Sequence, residues 1–468
     1  MTDLIFFNPK SFNVLPSYLP YGLLYLAAFL REKGVSTKIY DANTMDNNFW
    51  ALLKKEKPAI VGISILSGPC LIDAVATAKK LRQSFPKIKI IFGGIHATIF
   101  PKDVLKQPYV DYVVMNEGEE ALWELCQFLL AGKGRLKNIK NLAYKQGKKL
   151  IFNQIRAFID LNQLPLPAWD LLPIEKYIHN KFYSDRVITL HTSRGCPWDC
   201  SFCYNRLVNF RHWRGMSADK ILQQIECLIN NYQIKGFQFY DDEFDVSQKR
   251  VKDFCQLLLK KKVKIKWAHY SRTNLANKKR YALEKKAGCE FVEFGVESGS
   301  ARILKMLNKQ QTLANIRNAF KVCHKVGLKT GAMFMTALPT ETKKEVKKTV
   351  KLIKSLQAYQ TINTIFRPYP GSQLFNYCLA EALIKLPKKI EDQGKFFDIS
   401  STKINVSKID SDYLANLQAS FFFNNVWQEI KLALEYKNFK LLFSHFKSHL
   451  NFTTLILLLR GFRNKAQL

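Results

Sequence analysis

No run of about 18 apolar residues occurs anywhere in the chain, so no membrane-spanning helix is expected. The first nine residues, MTDLIFFNP, lack a basic region followed by a long apolar stretch, so a signal peptide is not expected either. Acidic residues are scarce: 38 Asp+Glu stand against 72 Lys+Arg, a formal charge of +34. Such an excess suits nucleic acid, an anionic membrane surface or acidic ligands. The lysines, however, are spread over helical stretches such as 343–354 and 278–286 and form no compact block. A solvated Lys-rich surface accounts for them, and nucleic acid is disfavoured as a partner. Cysteine is sparse, with 10 in 468 residues. Seven of these (Cys70, Cys126, Cys227, Cys255, Cys289, Cys323 and Cys378) are isolated among apolar or helical residues and read as small core side chains. That pattern excludes a disulfide framework and fits a reducing, cytoplasmic setting.

The remaining three cysteines are clustered. Cys196, Cys200 and Cys203 lie in the run Thr192-Ser-Arg-Gly-Cys-Pro-Trp-Asp-Cys-Ser-Phe-Cys-Tyr204, spaced C-x3-C-x2-C. Three thiolates on one short loop can hold a metal centre. They are one short of the usual four, so a four-iron cluster held by them keeps one iron without a protein ligand.

The length allows two domains plus an extra segment, and 47% hydrophobic residues allow sizeable cores. Residues 1–125 alternate short apolar runs with helical patterns. Leu4–Asn8, Thr37–Asp41, Ala59–Ser64, Ile88–Phe92 and Tyr112–Asn116 read as strands. Tyr21–Lys33 reads as a helix stopped by Gly34. The expected fold class is α/β, beginning with a doubly wound, Rossmann-like parallel sheet over residues 1–135. Ligands of such sheets bind beyond the strand C-termini. There the loops read Ser64-Ile-Leu66, then Gly93-Gly94-Ile-His96-Ala-Thr98, then Asn116-Glu117-Gly118-Glu119. Paired glycines let a bulky, flat ligand approach the backbone. His96 offers itself as a metal ligand, but a histidine beside a glycine pair more often serves as a hydrogen-bonding group.

Residues 136–185, with Gly/Lys-rich and Pro-rich stretches, read as a linker in which Trp169 anchors the strap. Residues 186–375 carry a second βα series, with strands at Val187–Thr192, Gly236–Tyr240, Trp267–Ser271, Phe291–Val296, Thr330–Phe334 and Thr361–Phe366. Six such units predict a partial (βα)6 TIM-like barrel with its function at the strand C-terminal ends. Those ends read Asp241-Asp242-Glu243, Ser271-Arg272-Thr273-Asn274, Gly295-Val-Glu297-Ser298-Gly-Ser300 and Arg367-Pro-Tyr-Pro-Gly-Ser372. Residues 376–468 form a Phe-, Leu- and Lys-rich helical segment, with helices expected at Ser407–Glu435 and Phe439–Phe462. These helices either close the barrel mouth or present an interfacial surface peripheral to the inner face of a membrane.

The cysteine loop, the D-D-E-F, G-V-E-S-G-S and P-Y-P-G-S runs resemble the radical S-adenosylmethionine superfamily. Together with the S-x-L and G-G elements they resemble its cobalamin-binding branch, over residues 1 to about 375. The trio alone also suits zinc, but the Arg-Gly-Cys-Pro start, Phe202 before the last cysteine and Tyr204 after it argue against that. The resemblance implies a 4Fe-4S cluster on Cys196, Cys200 and Cys203, with S-adenosyl-L-methionine (SAM) on its open iron. Phe202, Asp241, Asp242, Glu243, Glu297 and Ser298 would surround that ligand, and Arg272 would pair with its carboxylate. It implies cobalamin against Ser64, Leu66, Gly93, Gly94, His96, Glu117 and Gly118. The loop from Asn8 to Gly22, where the family's cobalt-ligating histidine would fall, contains none. The implied activity is reductive cleavage of SAM, with methyl transfer to an unactivated carbon of a hydrophobic or natural-product-like substrate. A radical oxidative cyclase or rearrangement enzyme of the same architecture is the alternative. A non-catalytic iron–sulfur scaffold on membrane or RNA is the alternative of a different class. A small or lipid-like substrate and a flavodoxin- or ferredoxin-type electron donor are the expected partners. No residue is assigned as a catalytic acid or base.

Overall fold

Leu4–Asn8 (LIFFN) is apolar on both faces, as a central parallel strand must be. In the computed structural model, which describes residues 2–11, 17–45, 48–398, 404–436, 438 and 441, it is the pivot of the first sheet. That sheet holds β1 (Leu4–Asn8), β2 (Thr37–Asp41), β3 (Ile60–Ser64), β4 (Lys89–Gly93), β5 (Tyr112–Val114), β6 (Leu142–Gln146) and β7 (Lys149–Phe152). Its order is β2-β1-β3-β4-β5-β6-β7. The first five strands are parallel. The chain winds one way from β1 to β2 and the other way from β3 onward, which opens a crevice at the C-terminal ends of β1 and β3.

The stretch read as linker contributes more than a strap. Gln146 and Lys149 flank a turn with Gly147 at φ +57, and the flanking strands β6 and β7 extend the sheet antiparallel. The Gly/Lys-rich composition marked this hairpin turn. Trp169 is 2% exposed and belongs to the core cluster that also contains Tyr21 and Leu24 of the helix Tyr21–Glu32. Ala168 N donates to Leu24 O at 3.2 Å.

The second sheet is built from β8 (His179–Lys181), β9 (Ser184–Leu190), β12 (Gly236–Phe239), β13 (Lys266–Ser271), β14 (Cys289–Glu297), β15 (Lys329–Thr336) and β16 (Gln360–Ile365). β10 (Ser193–Arg194) and β11 (Arg214–Gly215) make a small antiparallel pair above it. From β9 to β16 the neighbours follow chain order and all pair in parallel, so the sheet curls one way into an open half-barrel. Side-chain alternation separates the faces. On β14, Phe294 packs outward on Phe320 of the helix Leu313–Lys325 with ring centroids 5.2 Å apart, so Glu293, Gly295 and Glu297 face the interior.

One apolar cluster runs through both sheets, from Leu4 and Phe6 to Ile188, Phe239 and Phe294. The helix Tyr21–Glu32 is wedged between them: Tyr21 Oη donates to Thr189 O at 2.6 Å and Tyr25 Oη to Gln224 Oε1 at 3.2 Å. The helix Ser411–Glu435 lies along β16 and buries Leu414, Leu417 and Phe421 in the same cluster. The second expected C-terminal helix, Phe439–Phe462, lies outside the described residues. No helix among the described residues is long and apolar enough to cross a membrane.

Candidate active site between two sheet ends

The cysteine loop leaves β9 at the barrel top, and Asp241 fixes its start. That carboxylate accepts from Thr192 N (2.6 Å), Thr192 Oγ1 (2.6 Å) and Ser193 N (3.1 Å). Arg250 stands 3.7 Å behind it. Gly195 then turns at φ +84, where a Cβ would collide with the carbonyl of His212, so glycine is required. The far side of the loop is held by Ser201 N donating to Leu307 O (3.0 Å) and Asn308 Nδ2 donating to Asp199 O (2.8 Å). Burial pushes the Cys196 and Cys203 thiols up to about 12, so a metal displaces their protons when it binds. Arg272, buried and lying 4.4 Å over the Trp198 ring, donates from Nη1 to Cys200 Sγ at 3.4 Å and from Nη2 to the Lys309 carbonyl. Three thiols on a pinned loop, one already accepting an N–H donor, suit an iron–sulfur cluster, whose sulfurs are commonly tuned by such donors.

Several residues expected to touch SAM have other work. Asp241 is saturated by the loop it anchors. Arg272 is spent on Cys200 and Lys309 and is 4% exposed, so its guanidinium has no free fork for a ligand carboxylate. Ser298 is fully buried, facing Thr349 Oγ1 at 3.2 Å and accepting from Ser300 N. Glu297 sits at φ +62 and accepts from Lys309 Nζ at 2.7 Å. Glu243 is buried, and burial together with the neighbouring Asp245 raises its pKa well above the ordinary glutamate value. Burial works against Asp245 as well, but Arg280 at 2.5 Å outweighs it and holds that carboxyl low. Of the acidic trio Asp242 alone keeps accessible surface, although desolvation of its carboxyl raises its pKa; it accepts from Gly195 N at 3.2 Å. Phe202 is half-buried against the apolar cluster that holds Ile303, Leu307 and Phe375, with Lys309 Nζ 5.7 Å from its ring centroid.

The strand ends of the first sheet meet the segment that follows the cysteine loop, where Asn116 Nδ2 donates to Val208 O at 2.9 Å. Gly94 adopts φ +93, and a Cβ there would stand 2.7 Å from Ile65 O. The loop after β3 leaves Leu66 55% exposed, and Ser64 and Gly93 are half-buried. These residues fit a flat, bulky group lying against backbone. His96 does not face it. The ring is 0% exposed, bonded through Nδ1 to Ser67 Oγ at 2.9 Å and packed on Phe100. Burial lowers its pKa to about 3, so it is a neutral packing residue.

Glu117 is likewise engaged by protein partners. It receives Arg194 at 2.9 Å, Arg214 at 2.8 Å and Ile159 N at 3.1 Å, and Arg194 also reaches Glu119 at 2.7 Å. Burial opposes ionisation of Glu117, but the two guanidinium groups prevail and hold its pKa below the usual range. Gly118 precedes the helix Glu119–Ala131, and a Cβ there would stand 3.3 Å from Leu26 and Val114 side-chain carbons. Sequence reading missed Arg194 and Arg214 as partners. Arg194 stood in view beside Cys196, but nothing local connects it to glutamates 75 and 77 positions earlier.

Comparison with known proteins agrees with this geometry. The family model of the Radical SAM superfamily matches residues 190–353, and that of the B12 binding domain matches residues 13–126. An uncharacterized methyltransferase of Pyrococcus horikoshii is 35% identical over 370 residues, covering 78% of this chain and 79% of its own length. An anaerobic magnesium-protoporphyrin IX monomethyl ester cyclase of Rubrivivax gelatinosus is 29% identical, covering 78% of this chain and 67% of its own. The fold is shared with the radical S-adenosylmethionine methyltransferase TsrM of Kitasatospora setae, solved with cobalamin and a 4Fe-4S cluster bound. The TM-score is 0.69 at 17% identity, over 82% of this chain and 75% of the other.

Proposed function

Because the chain belongs to the cobalamin-binding radical S-adenosylmethionine enzymes, we propose that it transfers a methyl group to an unactivated carbon of a small, largely apolar organic substrate. The observation that carries this reading is the clamp of Arg194 and Arg214 on Glu117 and Glu119. It ties the cysteine loop to the strand-end loop of the first sheet, which sets the two candidate cofactor-binding ends side by side. Cys196, Cys200 and Cys203 would hold the cluster, and the Gly93–Gly94 turn with Leu66 would carry the corrin face. Electron supply to the sulfonium is the chemistry expected of the loaded cluster, and methyl carriage that of cobalamin.

The chain's own residues then have positional roles. Asp241 and Asn308 hold the loop, Arg272 biases the cluster through Cys200, and Asp242 is the exposed acceptor for the ammonium group of SAM. A reducing, cytoplasmic setting fits ten free cysteines. A flavodoxin- or ferredoxin-type donor, commonly acidic, fits the +34 surface.

The test is anaerobic reconstitution with cluster, cobalamin and SAM carrying a deuterated methyl group. Deuterium in a product together with deoxyadenosine is expected. Deoxyadenosine without methyl transfer would move the assignment to the second reading, a radical oxidative cyclase, which the similarity to the Rubrivivax enzyme favours.

A further inference from the structure

Glu293 is a carboxylic acid that the proposed chemistry does not use, in a place where an unused acid is costly. It lies mid-strand on β14, facing the barrel interior, 5% exposed, with Oε1 lacking any hydrogen-bond partner. A buried carboxyl without a donor costs stability, and folds keep such groups where a ligand completes them. Its surroundings are aromatic. Tyr270 is its register partner on β13. Tyr240, at the end of β12, meets Tyr270 edge to face with centroids 5.2 Å apart and planes at 88°. Tyr18, from the first domain, lies 5.2 Å from Tyr240 and 4.9 Å from His179. Tyr18 and Tyr240 are 48% and 38% exposed, so their rings front open space and not packed core.

We propose that Tyr18, Tyr240, Tyr270 and Glu293 form a subsite inside the barrel for an organic cation, a protonated or quaternary amine. The π faces of perpendicular tyrosines attract a cation, and a carboxylate at the base supplies the opposite charge. The rings and the acid disfavour an anion, and among the described residues Lys181 is the cation whose charge reaches Glu293. Burial pushes the Glu293 carboxyl up to about 7, and a bound cation would complete its ionisation. The proposal deepens the methyltransferase reading by naming a chemical feature of what enters the barrel. The cation has two sources, an amine of the substrate or the methionyl ammonium of SAM, which would then lie here and not on Asp242.

The test is binding of choline to the full-length, cluster-free protein, against its uncharged isostere 3,3-dimethyl-1-butanol, followed by NMR saturation transfer. Choline should bind about tenfold more tightly than the isostere. Glu293→Gln should abolish the preference and Tyr240→Leu should reduce it. Equal binding of the two probes by the wild type, or an unchanged preference in both variants, overturns the subsite. Should Glu293→Gln fail to fold, Tyr240→Leu decides alone. SAM titration of the reconstituted protein separates the sources. Unchanged SAM affinity in Glu293→Gln places the cation on the substrate, and a parallel loss places it on SAM. Choline binding needs no turnover, so its failure is distinguishable from failure of SAM cleavage.

Discussion

Arg194 Nη1 donates to Glu117 Oε1 at 2.9 Å, and the two residues stand on loops of different domains. One is two positions before the first clustered cysteine; the other ends a strand loop of the first sheet. With Nη2 on Glu119, the guanidinium bridges two carboxylates, and Arg214 shares the first of them. A planar fork is suited to such bridging where a lysine point charge is not. Movement of one loop therefore moves the other.

Replacing Arg194 with Gln leaves Glu117 with Arg214 and removes the ion pair of Glu119 in a partly buried interface. A loss of about 2 kcal/mol is expected, below the cost of breaking a fully buried pair because the guanidinium retains some solvent. Denaturant unfolding measures it. The sharper readout is stoichiometry: cobalamin retained per chain should fall while iron per chain is kept. Equal loss of both would mean that the substitution damages the cysteine loop itself.

Arg272 predicts a change in potential. Its N–H bond to Cys200 and its charge stabilise added electron density on a cluster held there. Arg272→Gln should lower the cluster midpoint by on the order of 50 mV, about tenfold in a one-electron equilibrium. An electron paramagnetic resonance redox titration reads it directly. Arg272→Lys, which keeps the charge but not the planar fork, should fall between the two. A midpoint that does not move would remove Arg272 from any tuning role.

Which of these roles could be read from residues alone follows from their range. Both sheets and the cysteine loop are written in local patterns: short apolar runs alternating with helical stretches, glycine stops and a seven-position spacing of thiols. Leu4–Asn8 and Thr37–Asp41 have the expected bounds, and the barrel strands differ at their ends only by a few residues. Orientation at the strand ends is not local. Asp241 and Asp242 are adjacent, yet the first is consumed by Thr192 and Ser193 and the second is exposed. Arg272 and Ser298 stand at the right strand ends but turn toward Cys200 and Thr349. His96 sits in the right loop but points into the core. Glu293 escaped notice because a lone acid in an apolar strand carries no motif; its meaning comes from Tyr18 and Tyr240, far apart in the chain.

His96 gives a pH prediction with a definite sign. Its folded pKa of about 3 lies below the value of about 6.5 expected in the unfolded chain. Above pH 6.5 both states carry neutral imidazole. As the pH falls below 6.5 the unfolded chain takes up a proton that the folded chain refuses, so stability is lost until the folded pKa is reached. Between pH 7.5 and 5 this group alone should cost about 2 kcal/mol. His96→Gln, which can still bond Ser67, should therefore lose less stability than the wild type over that interval. Parallel pH profiles of the two proteins in urea unfolding would refute a buried neutral ring.

The two glycines of the first sheet should respond differently to the same methyl group. At Gly94, with φ +93, an added Cβ would stand 2.7 Å from Ile65 O and 3.0 Å from Ile65 N. Ile65 cannot retreat freely, because its N–H is bonded to Gly93 O and its carbonyl accepts from His96 N. Gly94→Ala combines a disfavoured backbone conformation with a clash against fixed backbone, and should cost about 2–3 kcal/mol. At Gly93 the same Cβ would meet Val114 O at 3.5 Å, an ordinary contact, and Gly93→Ala should cost under about 1 kcal/mol. Cobalamin retention separates fold from site. Gly94→Ala should lose the cofactor through displacement of the loop at Ile65 and Leu66. Gly93→Ala should fold normally and lose cofactor only if the corrin lies directly on that residue. Equal destabilisation by the two would mean that neither the left-handed turn nor the Ile65 contact sets the requirement for glycine.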